Sequence, residues 1–129
     1  MMAEGLRKIG TISYLLKNGT LHENSILIWD EPESNLNPKS ITVIVNLLIF
    51  LKNMSVQIFI ASHSYFLIKY FDLKSKETED IQFISLTRDE DSIKSETTTD
   101  IYEIEHNAII DEMENIYLES SKQFYKGEE

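Results

Sequence analysis

Two short apolar runs constrain this chain more than anything else in it: Ser25 to Trp29, and Val56 to Ala61. Each is continuous rather than alternating, the mark of a buried strand in a parallel sheet. Between them, Lys39 to Lys52 carries apolar residues on every side. Ile41, Ile44, Val45, Leu48 and Leu51 form one stripe, and Val43, Leu47 and Phe50 form another. A helix apolar all round is buried on both sides. Pro38 stands at its start, where a missing N–H costs nothing.

The flanking segments extend the pattern. Glu4 to Lys17 spaces Leu6, Ile9, Ile12, Leu15 and Leu16 as a helix does, and Asn18-Gly19 stops it. A further helix is expected from about Tyr65 to Phe71. Ile81 to Thr87 and Ser92 to Thr98 flank the polar Arg88-Asp89-Glu90-Asp91, which predicts a hairpin. A last helix from about Asn107 to Tyr125 is expected to place its tyrosines and phenylalanines in core contacts. Helix, strand, helix, strand, helix, hairpin, helix implies an α/β layered unit with a parallel sheet.

At 129 residues the chain is expected to form a single domain, with a motif-bearing core over 1–75 and an acidic hairpin and helix over 76–129. No apolar run reaches the roughly 18 residues of a membrane span. Cysteine is absent, which excludes disulfides and thiolate metal sites and agrees with a reducing, cytoplasmic setting. The net charge of −10 is uneven. Residues 1–76 carry 8 basic and 6 acidic side chains, residues 77–129 carry 4 and 16. So acidic a tail repels phosphate backbones, and any nucleic-acid contact is expected to be indirect.

The stretch "ILIWDEPESNLNP" (residues 26–38) ends its apolar run on two adjacent acids, Asp30 and Glu31. They fall at the C-terminal edge of a parallel sheet, where α/β folds bind ligands. Asp30 is suited to hold Mg²⁺, directly or through water, because a hard cation takes oxygen ligands. Glu31 can orient or deprotonate a water for attack on a phosphoryl group. The second run, "QIFIASHS", ends on Ser62-His63-Ser64 and brings His63 to the same edge as Asp30. A histidine there can donate to a phosphate oxygen without a full charge at neutral pH.

These segments resemble the Walker B, D-loop and switch-histidine motifs of ABC-type ATPase domains, in the AAA-like group that includes OLD, SMC and RecF proteins. "MAEGLRKIG" falls where that family's signature opens a helix, with Ala3-Glu4-Gly5 where Ser-x-Gly is usual. The resemblance covers roughly residues 2–75. It implies that Asp30 is the magnesium aspartate, Glu31 the catalytic glutamate and His63 the switch residue that contacts the γ-phosphate. It implies that Ser34, Asn35 and Asn37 lie in a loop crossing a dimer interface, and that Ala3, Glu4 and Gly5 cap ATP held by an opposite protomer. The cofactors implied are ATP and Mg²⁺, the assembly an ATP-sandwich dimer.

The family's phosphate loop, G-x-x-x-x-G-K-[ST], occurs nowhere in the chain. None of its four glycines, Gly5, Gly10, Gly19 and Gly127, is followed by Lys-Ser or Lys-Thr. The chain thus reads as the C-terminal half of a P-loop ATPase head, inactive until a phosphate-loop half or a full-length protomer completes it. The second apolar stripe on residues 39–52 is expected to drive self-association. Two other readings stand beside this one. The first is an interaction module that keeps the fold without catalysis, acting through its acidic tail and hairpin. The second is a carboxylate-metal nuclease built on Asp30, Glu31, Glu33 and Asp89-Glu90-Asp91.

Overall fold

The computed structural model describes residues 2–78, 80–105 and 107–126. It comprises helix α1 (Met2–Lys17), strand β1 (Ile26–Asp30), helix α2 (Pro38–Asn53), strand β2 (Gln57–Ala61) and helix α3 (Tyr65–Ser75). The hairpin strands β3 (Phe83–Asp89) and β4 (Ser92–Thr98) follow. A short 3-10 turn (Ile101–Glu103) then leads into helix α4 (Ala108–Lys126). The chain divides into two compact units, the first ending at Tyr70 within α3. No helix among the described residues is long and apolar enough to cross a membrane.

In the first unit, β1 and β2 pair in parallel, with Ile26 opposite Gln57 and Asp30 opposite Ala61. Helix α2 makes the crossover between them. Its start is fixed by Asn37, whose side-chain oxygen accepts from the Ser40 N–H at 2.9 Å, and by Pro38 at the first helical position. Its end is fixed where Ser55 takes a left-handed backbone and the Val56 N–H returns to the Leu51 carbonyl at 3.2 Å. Helix α1 ends as Asn18-Gly19 predicts: Gly19 is left-handed at φ 77°, and its N–H reaches the Leu16 carbonyl.

The core of this unit is Ile12, Leu21, Leu51 and Val56, with Leu15, Leu16, Leu27, Trp29, Leu47 and Ile58 packed against them. Ile41, Ile44, Val45 and Leu48 continue the buried face of α2. The sheet therefore has one covered face and one bare face. Leu27 and Trp29 of β1 and Ile58 of β2 turn inward, whereas Ile26, Ile28 and Phe59 are exposed, Ile28 to 78%. This corrects the expectation of strands buried on both faces. Two strands have only one layer of helices against them here, and a continuous apolar run leaves half its side chains in solvent. Helix α2 behaves likewise: Val43 and Phe50 of the second stripe are exposed and Leu47 is half-buried.

In the second unit, β3 and β4 form an antiparallel hairpin in which Asp89 pairs with Ser92. The turn is only Glu90-Asp91, with Glu90 at φ 37°, so Arg88 and Asp89 belong to the strand rather than to the loop expected from their polarity. Arg88 lies opposite Ile93 in the ladder and Asp89 opposite Ser92, and Lys94 pairs with Asp89 across the hairpin. Asp100 caps the 3-10 turn by accepting from the Tyr102 N–H at 3.0 Å, and Asn107 caps α4 through the Ile110 N–H at 3.3 Å. Ile101 and Ile110 are buried. Tyr117 and Phe124 of α4 are exposed, against the expectation of core contacts. They share the face of Ile110, seven and fourteen residues on, but α4 is exposed throughout from residue 114 to 120, so that face meets solvent there.

Candidate functional site

The parallel ladder continues one bond past β1, where the Glu31 N–H donates to the Ala61 carbonyl at 2.8 Å. The chain then breaks sharply. Glu31 sits at φ 46° and Asn35 at φ 61°, left-handed conformations that cost a residue with a Cβ on the order of 1–2 kcal/mol. Two tight turns follow: the Ser34 N–H donates to the Glu31 carbonyl at 2.9 Å, and the Leu36 N–H to the Glu33 carbonyl at 3.0 Å. Backbone strain thus lies at one of the two acids singled out by the sequence.

The break re-aims Glu31. Asp30 and Ala61 lie opposite one another at the ends of the two strands, and Asp30 is exposed there. Glu31 turns across the strand ends instead, and its Oε1 lies 2.7 Å from His63 Nδ1. A carboxylate only accepts hydrogen bonds, so Nδ1 carries the proton and donates. This has a chemical consequence. A neutral imidazole has one N–H, and here it is spent on Glu31. The expectation that His63 donates to a phosphate while neutral therefore needs amending: with Nδ1 on Glu31, the ring offers Nε2 as an acceptor, and donation from Nε2 requires the imidazolium.

The loop after the acids is held from two sides. Lys8, on α1, donates from its ammonium to the Pro32 carbonyl at 2.7 Å, the Ser34 carbonyl at 2.8 Å and Ser34 Oγ at 3.2 Å. An ammonium has three protons, and all three are used. Glu33, 8% exposed, accepts from the hydroxyl of Ser62, and its Oε2 is buried with no hydrogen-bond partner among the described residues. Helix α1 begins at Met2, so Ala3, Glu4 and Gly5 form its first turn. Gly5 lies beside the loop: a Cβ there would stand 3.7 Å from Leu36 Cδ2, an ordinary contact. Glu4 pairs with Arg7 at 3.4 Å.

The structure thus gathers Asp30, Glu31 and His63 at one sheet edge, with Ser34 and Asn35 in the loop that follows. Asn37 is committed elsewhere, as the cap of α2, through Ser40 N and Ser40 Oγ. The sequence does not mark Lys8 or Ser62 for the site, and it marks Glu33 only under the nuclease reading. The only available signal was local: Lys8 lies three residues after Gly5 and Glu33 two after Glu31, and both look like ordinary solvated charges.

An exposed carboxylate such as Asp30 is the kind of oxygen donor that could hold a magnesium ion bound through one carboxylate and several waters. Among the described residues no group of three or more His, Asp or Glu is close enough to form a protein-only cation cage. Neither curated proteins nor solved structures yield a significant match. Residues 2–69, which hold α1, the acid loop, both parallel strands and His63, match the family described as "AAA domain, putative AbiEii toxin, Type IV TA system", and the chain belongs to that family of AAA-type, ATPase-like nucleotide-binding domains.

Proposed function

We propose that this chain forms the C-terminal half of an ABC-type ATPase head of the OLD, SMC and RecF group. The observation that carries the reading is the 2.7 Å contact between Glu31 and His63 at the C-terminal edge of a parallel pair whose other terminal acid is Asp30. In this reading Asp30 holds the magnesium of bound Mg-ATP. Glu31 takes a proton from the attacking water, its carboxylate aimed by the left-handed turn and by His63. His63 meets the γ-phosphate once protonated, bridging it to Glu31. Ala3 to Gly5 at the start of α1, with Ser34 and Asn35 in the loop, face the nucleotide of a second protomer.

The phosphate-binding loop comes from elsewhere, as another polypeptide, another segment or a full-length protomer. The bare face of the sheet, with Ile26, Ile28 and Phe59, supports this, because parallel sheets are covered on both faces. A second reading, an interaction module without catalysis, draws support from the hairpin. Ile84, Leu86 and Ile93 stand exposed on one of its faces within the acidic part of the chain.

The test is titration of Mg-ATP into the chain, alone and with a phosphate-loop half supplied, followed by turnover measurements. Binding that appears only with the added half and is lost in Asp30→Ala, together with Glu31→Gln that retains ATP without hydrolysing it, is the expected result. No binding in any reconstituted form would favour the interaction module.

A further inference from the structure

We infer that Glu33 and Ser62 are positioning residues that hold His63 against Glu31. The inference rests on reading Glu31 and His63 as the reacting pair.

The Glu31–His63 contact cannot orient itself. His63 is 79% exposed and Glu31 44%, and ion pairs this open to water contribute little. What sets their meeting is the backbone that carries each of them. Glu31 and Glu33 occupy one turn, closed by the Ser34 and Leu36 amides. Ser62, His63 and Ser64 occupy another: the Ser62 hydroxyl accepts from the Ser64 N–H at 3.0 Å, which folds the chain around His63. Ser64 Oγ in turn accepts from the Leu67 N–H at 3.4 Å at the start of α3, so the second turn is anchored to a helix. Besides the Glu31 N–H bond to the Ala61 carbonyl, a part-buried side-chain bond joins the two turns, from Ser62 Oγ to Glu33 Oε1. The exposed pair reports a geometry that this side-chain bond imposes.

The burial of Glu33 points the same way. A carboxyl group kept out of water, with one oxygen lacking a hydrogen-bond partner among the described residues, is a poor choice for stability, and an apolar side chain of similar size would be cheaper at that position. Its use is explained if the bond must be directional. A carboxylate accepts from a hydroxyl in a defined direction, whereas an apolar contact between the same two turns would let them slide.

The proton position on His63 tests this without nucleotide. With Nδ1 facing Glu31, the neutral ring carries its proton on Nδ1, whereas an unconstrained imidazole prefers Nε2. Ring-nitrogen shifts from ¹⁵N NMR at alkaline pH distinguish the two forms in the intact chain. His22 is an internal reference, since its Nδ1 is held by the Glu23 carbonyl at 2.7 Å. The expected result is an Nδ1–H signature at His63 in the wild type and in Ser62→Thr, which keeps the hydroxyl. In Ser62→Ala that signature is lost, as it is in Glu31→Ala, which removes the acceptor, while His22 and the remaining amide spectrum are unchanged.

An Nδ1–H signature at His63 that persists in Ser62→Ala would overturn the inference, as would its absence from the wild type. If Ser62→Ala disturbs the spectrum broadly, Glu33→Gln decides: its amide oxygen still accepts from Ser62, so the signature must persist. Loss of the signature in that variant would overturn the inference. A signature that depends on Ser62 in a chain that never binds Mg-ATP would support the positioning role and count against the ATPase reading, so the two fail separately.

Discussion

The ammonium of Lys8 lies 2.7 Å from the carbonyl oxygen of Pro32, which ties the first long helix of the chain to the turn after its paired acids. Two further bonds join the same ammonium to Ser34, at its carbonyl and its hydroxyl. Lys8→Met keeps the stem and removes all three bonds, leaving two partly buried carbonyls unmet. The expected cost is about 1–2 kcal/mol in urea unfolding. An unchanged midpoint would show that water replaces the ammonium at no loss.

Asn37 offers a discrimination between a structural and an interfacial role. As the cap of α2 it should cost about 1 kcal/mol when replaced by Ala and only a few tenths when replaced by Asp or Ser, which cap equally well. If Asn37 acts mainly across a dimer interface, Asp and Ser would fail in reconstituted turnover although they fold normally.

The interior of the first unit should respond through α2. Ile44 has no solvent exposure, and Ile44→Ala removes methyl groups that nothing nearby can replace. A loss of about 2–5 kcal/mol is expected, enough to unfold a marginal domain. Val43→Ala, one position earlier and exposed, should shift stability by less than about 0.5 kcal/mol in the same assay.

The bare sheet face makes a prediction about association rather than folding. Ile28→Lys places a charge where the side chain is already exposed, so the chain itself should unfold at nearly the wild-type denaturant concentration. Sedimentation across a concentration series should show less self-association than wild type, and a supplied phosphate-loop half should bind more weakly. Equal association of both proteins would mean that the face stays uncovered.

Much of the arrangement was legible in the sequence because apolar runs of strand length are hard to misread. Element order follows directly from residues 26–30, 38–53 and 57–61, whose boundaries move by a single residue, whereas α3 runs four residues past the expected Phe71, to Ser75. Side-chain exposure on the strands was not legible. A run such as Ile26-Leu27-Ile28-Trp29 says that both faces are apolar, not that both are covered in this chain. Arg88 and Asp89 look like turn residues because polarity is the only cue, whereas ladder pairing with Ile93 and Ser92 sets their state.

The site divides in the same way. Asp30, Glu31 and His63 could be placed at one edge from strand ends alone. The partner that His63 meets could not, because it depends on the left-handed turn at Glu31, and nothing in a glutamate announces that conformation. Lys8 and Glu33 were hidden for a related reason. Their neighbours lie 24 to 29 positions away, and a lysine on a helix or an acid among acids carries no mark of such a contact.

On the proposed reading, the turn at Glu31 also sets folding and chemistry in opposition. Its backbone favours glycine, which adopts positive φ freely, so Glu31→Gly would relax the fold while deleting the carboxylate. A library screened only for thermal resistance should enrich glycine or asparagine at position 31. One screened for nucleotide turnover should reject both. A residue on which two selections disagree is one that the protein keeps at a cost in stability, and position 31 is where that trade between robustness and work is to be sought.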